Sequence, residues 1–192
     1  MVEDKADSRR LMVSGAADMI SRRGLNATSV RELAKHTRAP LGSTYHYFPG
    51  GKYDLATEAV QWADALTVRT LTRELRAGPI AGLEAFLALW RKVVTNSDFH
   101  AGCPVLAVSV EDLPEEHATP REAAATAFGN WTSLLASSLH EHGAPKAKAC
   151  RIATLIVAAV EGTVAMCRAQ RSIAPLDDVS AELVGLARAV ID

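Results

Sequence analysis

The chain of 192 residues is 48% hydrophobic and 22% charged, which excludes an intrinsically disordered protein and allows one large or two small cores. No apolar run reaches the roughly 18 residues of a membrane span, and the charged start MVEDKADSRR lacks the apolar stretch of a signal peptide, so we expect a cytoplasmic protein without a membrane partner. The net charge of −1 conceals a basic quarter, since residues 1–52 hold nine Lys or Arg against five Asp or Glu. Unless it arises by chance, this asymmetry indicates a polyanion-binding module on an acidic body.

Helical periodicity begins near the N-terminus, and no strand pattern follows it. Apolar and small residues at helical spacing predict the first helix: Met12, Gly15, Ala16, Met19 and Ile20. Gly24 predicts its end. Ser29 and Glu32 match a capping box, with Glu32 reaching back to the Ser29 backbone amide, and predict a short second helix. After a break at TRAP, residues 37–40, a third short helix is expected over LGSTYHYF, residues 41–48.

The third short helix has two faces of different character. On a helical wheel Leu41, Thr44 and Phe48 share the side that we expect to pack on the first two helices. The opposite side and its flanks hold Gly42, Ser43, His46, Tyr45 and Tyr47. Small and polar residues can approach base edges in a DNA major groove, and phenol hydroxyls can reach the sugar-phosphate strands, which favours a helix-turn-helix. The alternative is that both tyrosines are half-buried packing residues with hydrated hydroxyls.

The segment TSVRELAKHTRAPLGSTYHYFPGGKYDLATEAV, residues 28–60, resembles the N-terminal domain of TetR-family transcriptional repressors. The shared pattern is T-[ST]-V-R-x-[IL]-A, a turn, G-[ST]-x-Y-x-[HY]-F and a following Lys. PGG before Lys52 and AGCPVLAVSVE at 101–111 are similar to the lincomycin-resistance-repressor branch. The resemblance implies DNA contacts, mostly to phosphates, by Ser29, Ser43, Tyr45, His46, Tyr47 and Lys52. We add Gly42, because a glycine at the helix start permits close approach.

Two positions depart from the family pattern. Thr37-Arg38 replaces the usual Ala-Gly of the turn, so Arg38 either adopts a left-handed conformation at a cost of roughly 1 kcal/mol or avoids it through a different turn. We also assign Arg38 a phosphate contact. Thr44 replaces the usual Leu or Ile, and its hydroxyl needs a carbonyl one turn back.

The rest of the chain reads as further helices. A long helix from about 51 to 76 connects to amphipathic segments near 80–96, 104–113, 119–142, 145–170 and 177–191, separated by Gly and Pro. The expected fold class is therefore all-α. We expect a three-helix helix-turn-helix domain over residues 1–52, followed by a helical effector-binding and dimerisation domain over residues 53–192.

The last two segments are candidates for self-association. Residues 152–167 are apolar almost all round, and the final helix carries a seam at spacings of 3, 4, 3 and 4, from Leu176 to Val190. TetR-like proteins dimerise through a four-helix bundle of this kind, and the alternative is a seam buried within one chain. The predicted interface residues are Ala158, Gly162, Ala165, Val179, Leu183, Leu186 and Val190.

Two aromatic pairs at helical spacing predict either core or an effector pocket. The pocket residues that we consider are Phe86, Trp90, Cys103, Leu106, Phe128, Trp131 and Glu161. Glu161 would meet a cationic group of an effector, or else Arg168 or a backbone amide. Cys103 is a redox sensor or a packing thiol.

The sequence contains no pattern typical of a disulfide framework, a metal site or an enzyme active site. The odd number of three cysteines without a CxxC pair argues against a disulfide framework and a zinc site, and His140 and His142 have the wrong helical spacing for one metal. The phosphate-loop pattern GxxxxGK[ST] is absent, which argues against an ATPase. No nucleophile–base pair stands out either, so we expect no enzyme, cofactor or metal. The expected function is a homodimeric repressor that binds a palindromic double-stranded DNA operator and is released by a hydrophobic small-molecule effector. The alternatives are a helical small-molecule-binding protein or enzyme that has lost DNA binding, and an activator or nucleoid-type DNA binder without an effector.

Overall fold

The computed structural model describes residues 2–191, with side chains from Asp7 onward except that of Ser43. All regular structure in this range is helical, so the all-α prediction is confirmed. The α-helices are α1 (Val2–Arg23), α2 (Val30–His36), α3 (Leu41–Tyr47), α4 (Lys52–Glu74), α5 (Pro79–Asn96), α6 (Pro104–Ser109), α7 (Thr119–Glu141), α8 (Lys146–Gln170) and α9 (Ala174–Ile191). Short 3-10 helices occupy Leu75–Ala77 and Glu115–His117.

Two helix boundaries differ from the sequence expectation by more than two residues. α6 ends at Ser109 rather than near residue 113, and the chain then runs without α-helix to α7. The Ser109 hydroxyl bonds back to the Leu106 carbonyl at 2.9 Å, which satisfies one of the last carbonyls of α6. α9 begins at Ala174, earlier than expected, because Pro175 in its first turn needs no intrahelical hydrogen bond for its nitrogen.

The chain divides into two compact units whose sequences interleave. The first unit comprises the residues up to Asp64 together with Cys103–Ala127, and the second comprises Ala65–Gly102 together with the residues from Phe128 onward. α4 and α7 each contribute residues to both units. A segment that the sequence places in the C-terminal half thus belongs to the same compact unit as the helix-turn-helix.

In the first unit, α1 packs on α2 and α6, and α2 packs on α3. The periodic residues of α1 form its buried face as expected, with Met12, Ala16 and Ile20 almost fully inaccessible. Leu33 of α2 and Phe48 after α3 complete this core. The helix-turn-helix is therefore held by burial of one face of each short helix.

In the second unit, α8 packs against both α5 and α9. By length and composition alone, α8 is long and apolar enough to cross a membrane. This corrects the expectation that no apolar segment of the chain reaches the length of a membrane span. Half of its most apolar window is buried within the protein. The residues that it buries include Ile152, Ile156, Val160 and Val164.

Candidate nucleic-acid interface

The start of α2 is fixed by a Ser29–Glu32 pair. The Ser29 hydroxyl accepts a hydrogen bond from the Glu32 N–H at 3.2 Å and donates one to the Glu32 carboxylate at 3.0 Å. The carboxylate thus binds the hydroxyl, whereas the capping box predicted contact with the Ser29 backbone amide. Ser29 remains exposed at the N-terminus of α2, where a helix attracts anions.

Arg38 occupies the left-handed position that ends α2. Its φ is 55°, its N–H donates to the Lys35 carbonyl at 3.3 Å, and the Ala39 N–H donates to the Ala34 carbonyl at 2.9 Å. This is a Schellman motif, in which glycine is the usual residue. Of the two alternatives at this turn, the left-handed conformation is the one found, and it costs about 1 kcal/mol relative to glycine.

The core-facing side of α3 matches the wheel at two of its three positions. Thr44 is fully buried, its hydroxyl donates to the Pro40 carbonyl at 3.4 Å one turn back, and Phe48 is also buried. Leu41 was expected to pack with them, but it is 37% exposed. As the first residue of α3, it lies beside the α2–α3 turn and lines a surface groove there instead of the core.

The other side of α3 is open to solvent. Tyr45 is 53% exposed, His46 is exposed and Tyr47 is half-buried. A Cβ added at Gly42 would meet no heavy atom within 4 Å, so the backbone there is directly accessible. Ser43 lies within α3, but its side chain falls outside the described part of the chain.

The PGG sequence turns the chain from α3 into α4. Gly51 has a φ of 69°, a left-handed conformation that favours glycine, and the Gly50 N–H donates to the Asp54 carboxylate at 2.6 Å. Lys52 begins α4, and its ammonium lies 5.2 Å from the centre of the Tyr53 ring. The turn therefore presents Lys52 directly after α3.

Acidic side chains near these helices are neutralised locally. Asp18 of α1 pairs with Arg22 at 2.9 Å and lies 3.5 Å from His36. Glu32 lies 3.9 Å from Arg23.

A further ion pair joins α1 to α4. Arg9 binds the carboxylate of Glu58, and its guanidinium also lies 5.6 Å from the centre of the Phe48 ring. Burial raises the pKa of Glu58; the charge of Arg9 opposes this rise and that of Asp54 adds to it. The ion pair therefore links α1 to α4 on either side of the short helices α2 and α3 in the sequence.

Three cations of α2 and the turn after it lack such acidic partners within the described part of the chain. Arg31, Lys35 and Arg38 make no ion pair with any other side chain that the structure describes, and all three are exposed. They line one groove together with Ala34, Ala39, Pro40 and Leu41. Sequence reasoning missed Arg31 and Lys35, although the spacing 31, 35, 38 predicts one face of a helix. This basic groove, lined by Arg31, Lys35 and Arg38, adjoins the start of α3.

Two family models cover most of the chain. Residues 13–59 match the model described as bacterial regulatory proteins, tetR family. Residues 79–182, more than half of the chain, match the C-terminal domain of LmrA/YxaF-like transcriptional regulators. The chain belongs to the TetR family. It is a DNA-binding transcriptional regulator rather than an enzyme, and its predicted likeness to the lincomycin-resistance-repressor branch is confirmed.

Individual TetR-family proteins agree with this membership. An uncharacterized HTH-type transcriptional regulator of Mycobacterium tuberculosis is 37% identical over 182 residues, covering 93% of each chain. The HTH-type transcriptional regulator LmrA of Bacillus subtilis is 28% identical, covering 91% of this chain and 93% of LmrA. The crystal structure of regulatory protein TetR from Rhodobacter sphaeroides has the same fold, with a TM-score of 0.81 at 21% identity and coverage of 92% and 97%.

Four of the residues considered for a TetR-type effector pocket form an aromatic cluster in the second unit. The Trp131 ring centre lies 6.1 Å from that of Phe86, 6.3 Å from that of Trp90 and 5.6 Å from that of Phe128. The Trp90 Nε1 group is buried and finds no hydrogen-bond acceptor within the described part of the chain. Such a group is costly to leave unsatisfied. Glu161, also in this unit, is buried on α8.

The other two pocket candidates belong to the first unit. The buried Cys103 caps α6, because its sulfur accepts a hydrogen bond from the Leu106 N–H at 3.4 Å. Leu106 itself is half-buried. No disulfide joins the cysteines of the described range, and no three metal-ligating side chains come together there.

The predicted interface residues fall into two groups within the protomer. Ala158, Gly162 and Ala165 are exposed on α8. Val179 and Leu186 of α9 are half-buried, whereas Leu183 and Val190 are buried in the protomer's own core.

Arg38 provides a test that separates stability from binding. We expect Arg38→Gly to stabilise the protein by about 1 kcal/mol, because glycine adopts the left-handed conformation without strain. The same substitution should weaken DNA binding and lower the salt dependence by about one unit for each phosphate that the side chain no longer neutralises. Thermal melting and fluorescence anisotropy at several salt concentrations measure the two effects. If affinity is unchanged while stability rises, Arg38 does not contact DNA.

Proposed function

We propose that this regulator is a cytoplasmic repressor that binds a palindromic operator as a homodimer and dissociates when a small molecule binds. Residues 1–52 form the DNA-binding domain, and residues 53–192 carry effector binding and dimerisation. The observation that carries the proposal is the basic groove beside the exposed face of α3, because its cations are not neutralised by described acidic side chains. Uncompensated cations next to an open helix face favour binding to a polyanion.

In this proposal α3 enters the major groove. Gly42 lets the backbone approach the bases, and His46 and Ser43 reach base edges. The phosphates on either side of the DNA major groove are bound by Tyr45, Tyr47 and Lys52. Ser29 binds a phosphate at the N-terminus of α2.

The basic groove extends the same footprint. Arg31 and Lys35 lie on α2, and Arg38 lies in the following turn, so one sugar-phosphate strand can pass all three. We therefore add Arg31 and Lys35 to the proposed phosphate contacts. Their contribution would be largely independent of sequence, since phosphate contacts position the protein and base contacts specify the site.

The exposed face of α8 supports dimerisation. Leu155 and Met166 are 47% and 48% exposed. The three small residues of the predicted interface lie between them at helical spacing: Ala158, Gly162 and Ala165. Small residues allow two helices to approach closely, and an exposed apolar face of this kind is typical of a protein–protein interface. The neighbouring groove between α8 and α9 is lined by Leu155, Ala159, Val179 and Leu186, among others. We propose that two copies pair through this face.

The aromatic cluster supports an effector site. An apolar ligand that carries a hydrogen-bond acceptor would satisfy Trp90 Nε1 while packing against Phe86 and Trp131. Binding would favour a conformation whose recognition helices no longer stand about 34 to 36 Å apart, the distance between successive major grooves. A preference of roughly 1 to 3 kcal/mol for that conformation suffices to release DNA.

A gel shift with the DNA flanking the protein's own gene tests the proposal. We expect a discrete complex on a palindromic fragment, and release of that complex by an aromatic carbonyl compound that also changes tryptophan emission. Emission changes without any DNA complex would indicate a small-molecule-binding protein that has lost DNA binding. A complex that no bound compound releases would indicate a DNA binder without an effector.

A further inference from the structure

Glu111 holds the turn between α1 and α2 from a distant part of the sequence. It follows α6, and its carboxylate accepts hydrogen bonds from the backbone N–H groups of Leu25 and, at 2.8 Å, Asn26. Both partners lie in the turn that separates α1 from α2. Glu111 lies outside residues 13–59, which match the DNA-binding family model, and inside residues 79–182, which match the C-terminal one.

The turn depends on an acceptor of this kind. Gly24 follows α1 with a φ of 79°, and within the described part of the chain the N–H groups of Leu25 and Asn26 bond to no carbonyl of α1. Leu25 is almost fully buried, and a buried N–H without an acceptor is costly. A carboxylate supplies two acceptor oxygens and makes stronger hydrogen bonds than a neutral group.

The segment that carries Glu111 has a second contact with the DNA-binding module. His117 stacks on Tyr53 of α4, with ring centres 3.9 Å apart and planes inclined by 13°. Tyr53 adjoins Lys52, and α6 itself packs on α1. The segment therefore touches the module at the turn before α2 and at the first turn of α4.

We infer that Glu111 is a positioning residue for operator binding. Its carboxylate fixes the turn that leads into α2, and thereby the orientation of Ser29 and the basic groove, without itself contacting DNA. The inference rests on the proposed operator function. Simple electrostatics predicts that removing a negative charge beside a DNA-binding surface tightens DNA binding. Our inference predicts the opposite for Glu111, namely weaker DNA binding.

The test compares Glu111→Ala and Glu111→Gln with Asp112→Asn, a matched loss of charge at the next position. Operator affinity is measured by fluorescence anisotropy, corrected for the folded fraction from thermal melting. We expect Asp112→Asn to bind as tightly as the unmodified protein or more tightly. Glu111→Ala should bind at least about tenfold more weakly, and Glu111→Gln should fall between them, since its amide oxygen retains one acceptor.

Amide hydrogen exchange provides a second readout where Glu111→Ala fails to fold. In Glu111→Gln we expect faster exchange at Leu25 and Asn26 together with weaker operator binding. Affinities of both Glu111 variants equal to that of Asp112→Asn would overturn the inference and leave the operator proposal intact. If the unmodified protein binds no DNA, the operator proposal fails and this inference fails with it.

Discussion

We expect Gly42→Glu to weaken operator binding by at least about a hundredfold while the protein stays folded. The position is exposed in the first turn of α3, and an added Cβ meets no heavy atom within 4 Å. A carboxylate near a helix N-terminus is itself favourable for the helix. Against DNA, the same carboxylate would face phosphates and base edges, and like-charge contacts at an interface cost several kcal/mol.

The matched control for this substitution is Gly129→Glu on α7. That position is also open to solvent, and an added Cβ there also meets no heavy atom within 4 Å. Both variants gain one negative charge and lose one helical glycine, and thermal melting gives the folded fraction of each. Anisotropy with labelled operator should separate them. Binding by Gly42→Glu within threefold of Gly129→Glu would show that the start of α3 does not face DNA.

We expect the double substitution Leu155→Arg and Met166→Arg to convert the proposed dimer into a folded monomer. Both side chains are about half exposed in the protomer, so charges there should change its stability by only about 0.5 kcal/mol. In a dimer through α8 the same charges would be buried against their own copies, where unpaired charges are strongly destabilising. Operator affinity should fall by at least about a hundredfold, because each half-site would bind alone.

Sedimentation equilibrium measures this change as a fall to the protomer mass of 20.5 kDa. Leu66→Arg is the control, since Leu66 is an exposed apolar residue of α4. It should leave the association state unchanged. A double variant that remains dimeric would place the interface away from α8.

The apolar seam of α9 could not be assigned to an interface from the sequence pattern alone. The seam of α9 has the spacing of a helix interface, and that spacing is the same whether the partner helix belongs to the same chain or to a copy. Leu183 and Val190 prove to be buried within the protomer. We therefore expect a charge at Leu183 to destabilise the protomer itself, and a loss of dimer after that substitution would identify no interface.

The helix-turn-helix was more predictable because most of its determinants are local. Gly24, Ser29 and the PGG turn act through hydrogen bonds and backbone angles within a few residues, so helix boundaries there follow from the sequence. The wheel placed Leu41 on the core side, but a wheel describes only one helix, and Leu41, the first residue of α3, is 37% exposed. Glu111 was not predictable at all, since 86 positions separate it from Leu25.

The interleaving of the two compact units bears on how regulators of this type can be recombined. A chimera that joins the first 52 residues to the body of another regulator would cut the chain inside the first unit, and the graft would lack Glu111 and His117. In such a chimera the backbone N–H groups of Leu25 and Asn26 would lose the Glu111 carboxylate as their hydrogen-bond acceptor. The compact unit that contains α3 comprises the residues up to Asp64 together with Cys103–Ala127. We therefore expect exchange of side chains on α3 to change specificity with less disruption than exchange of domains.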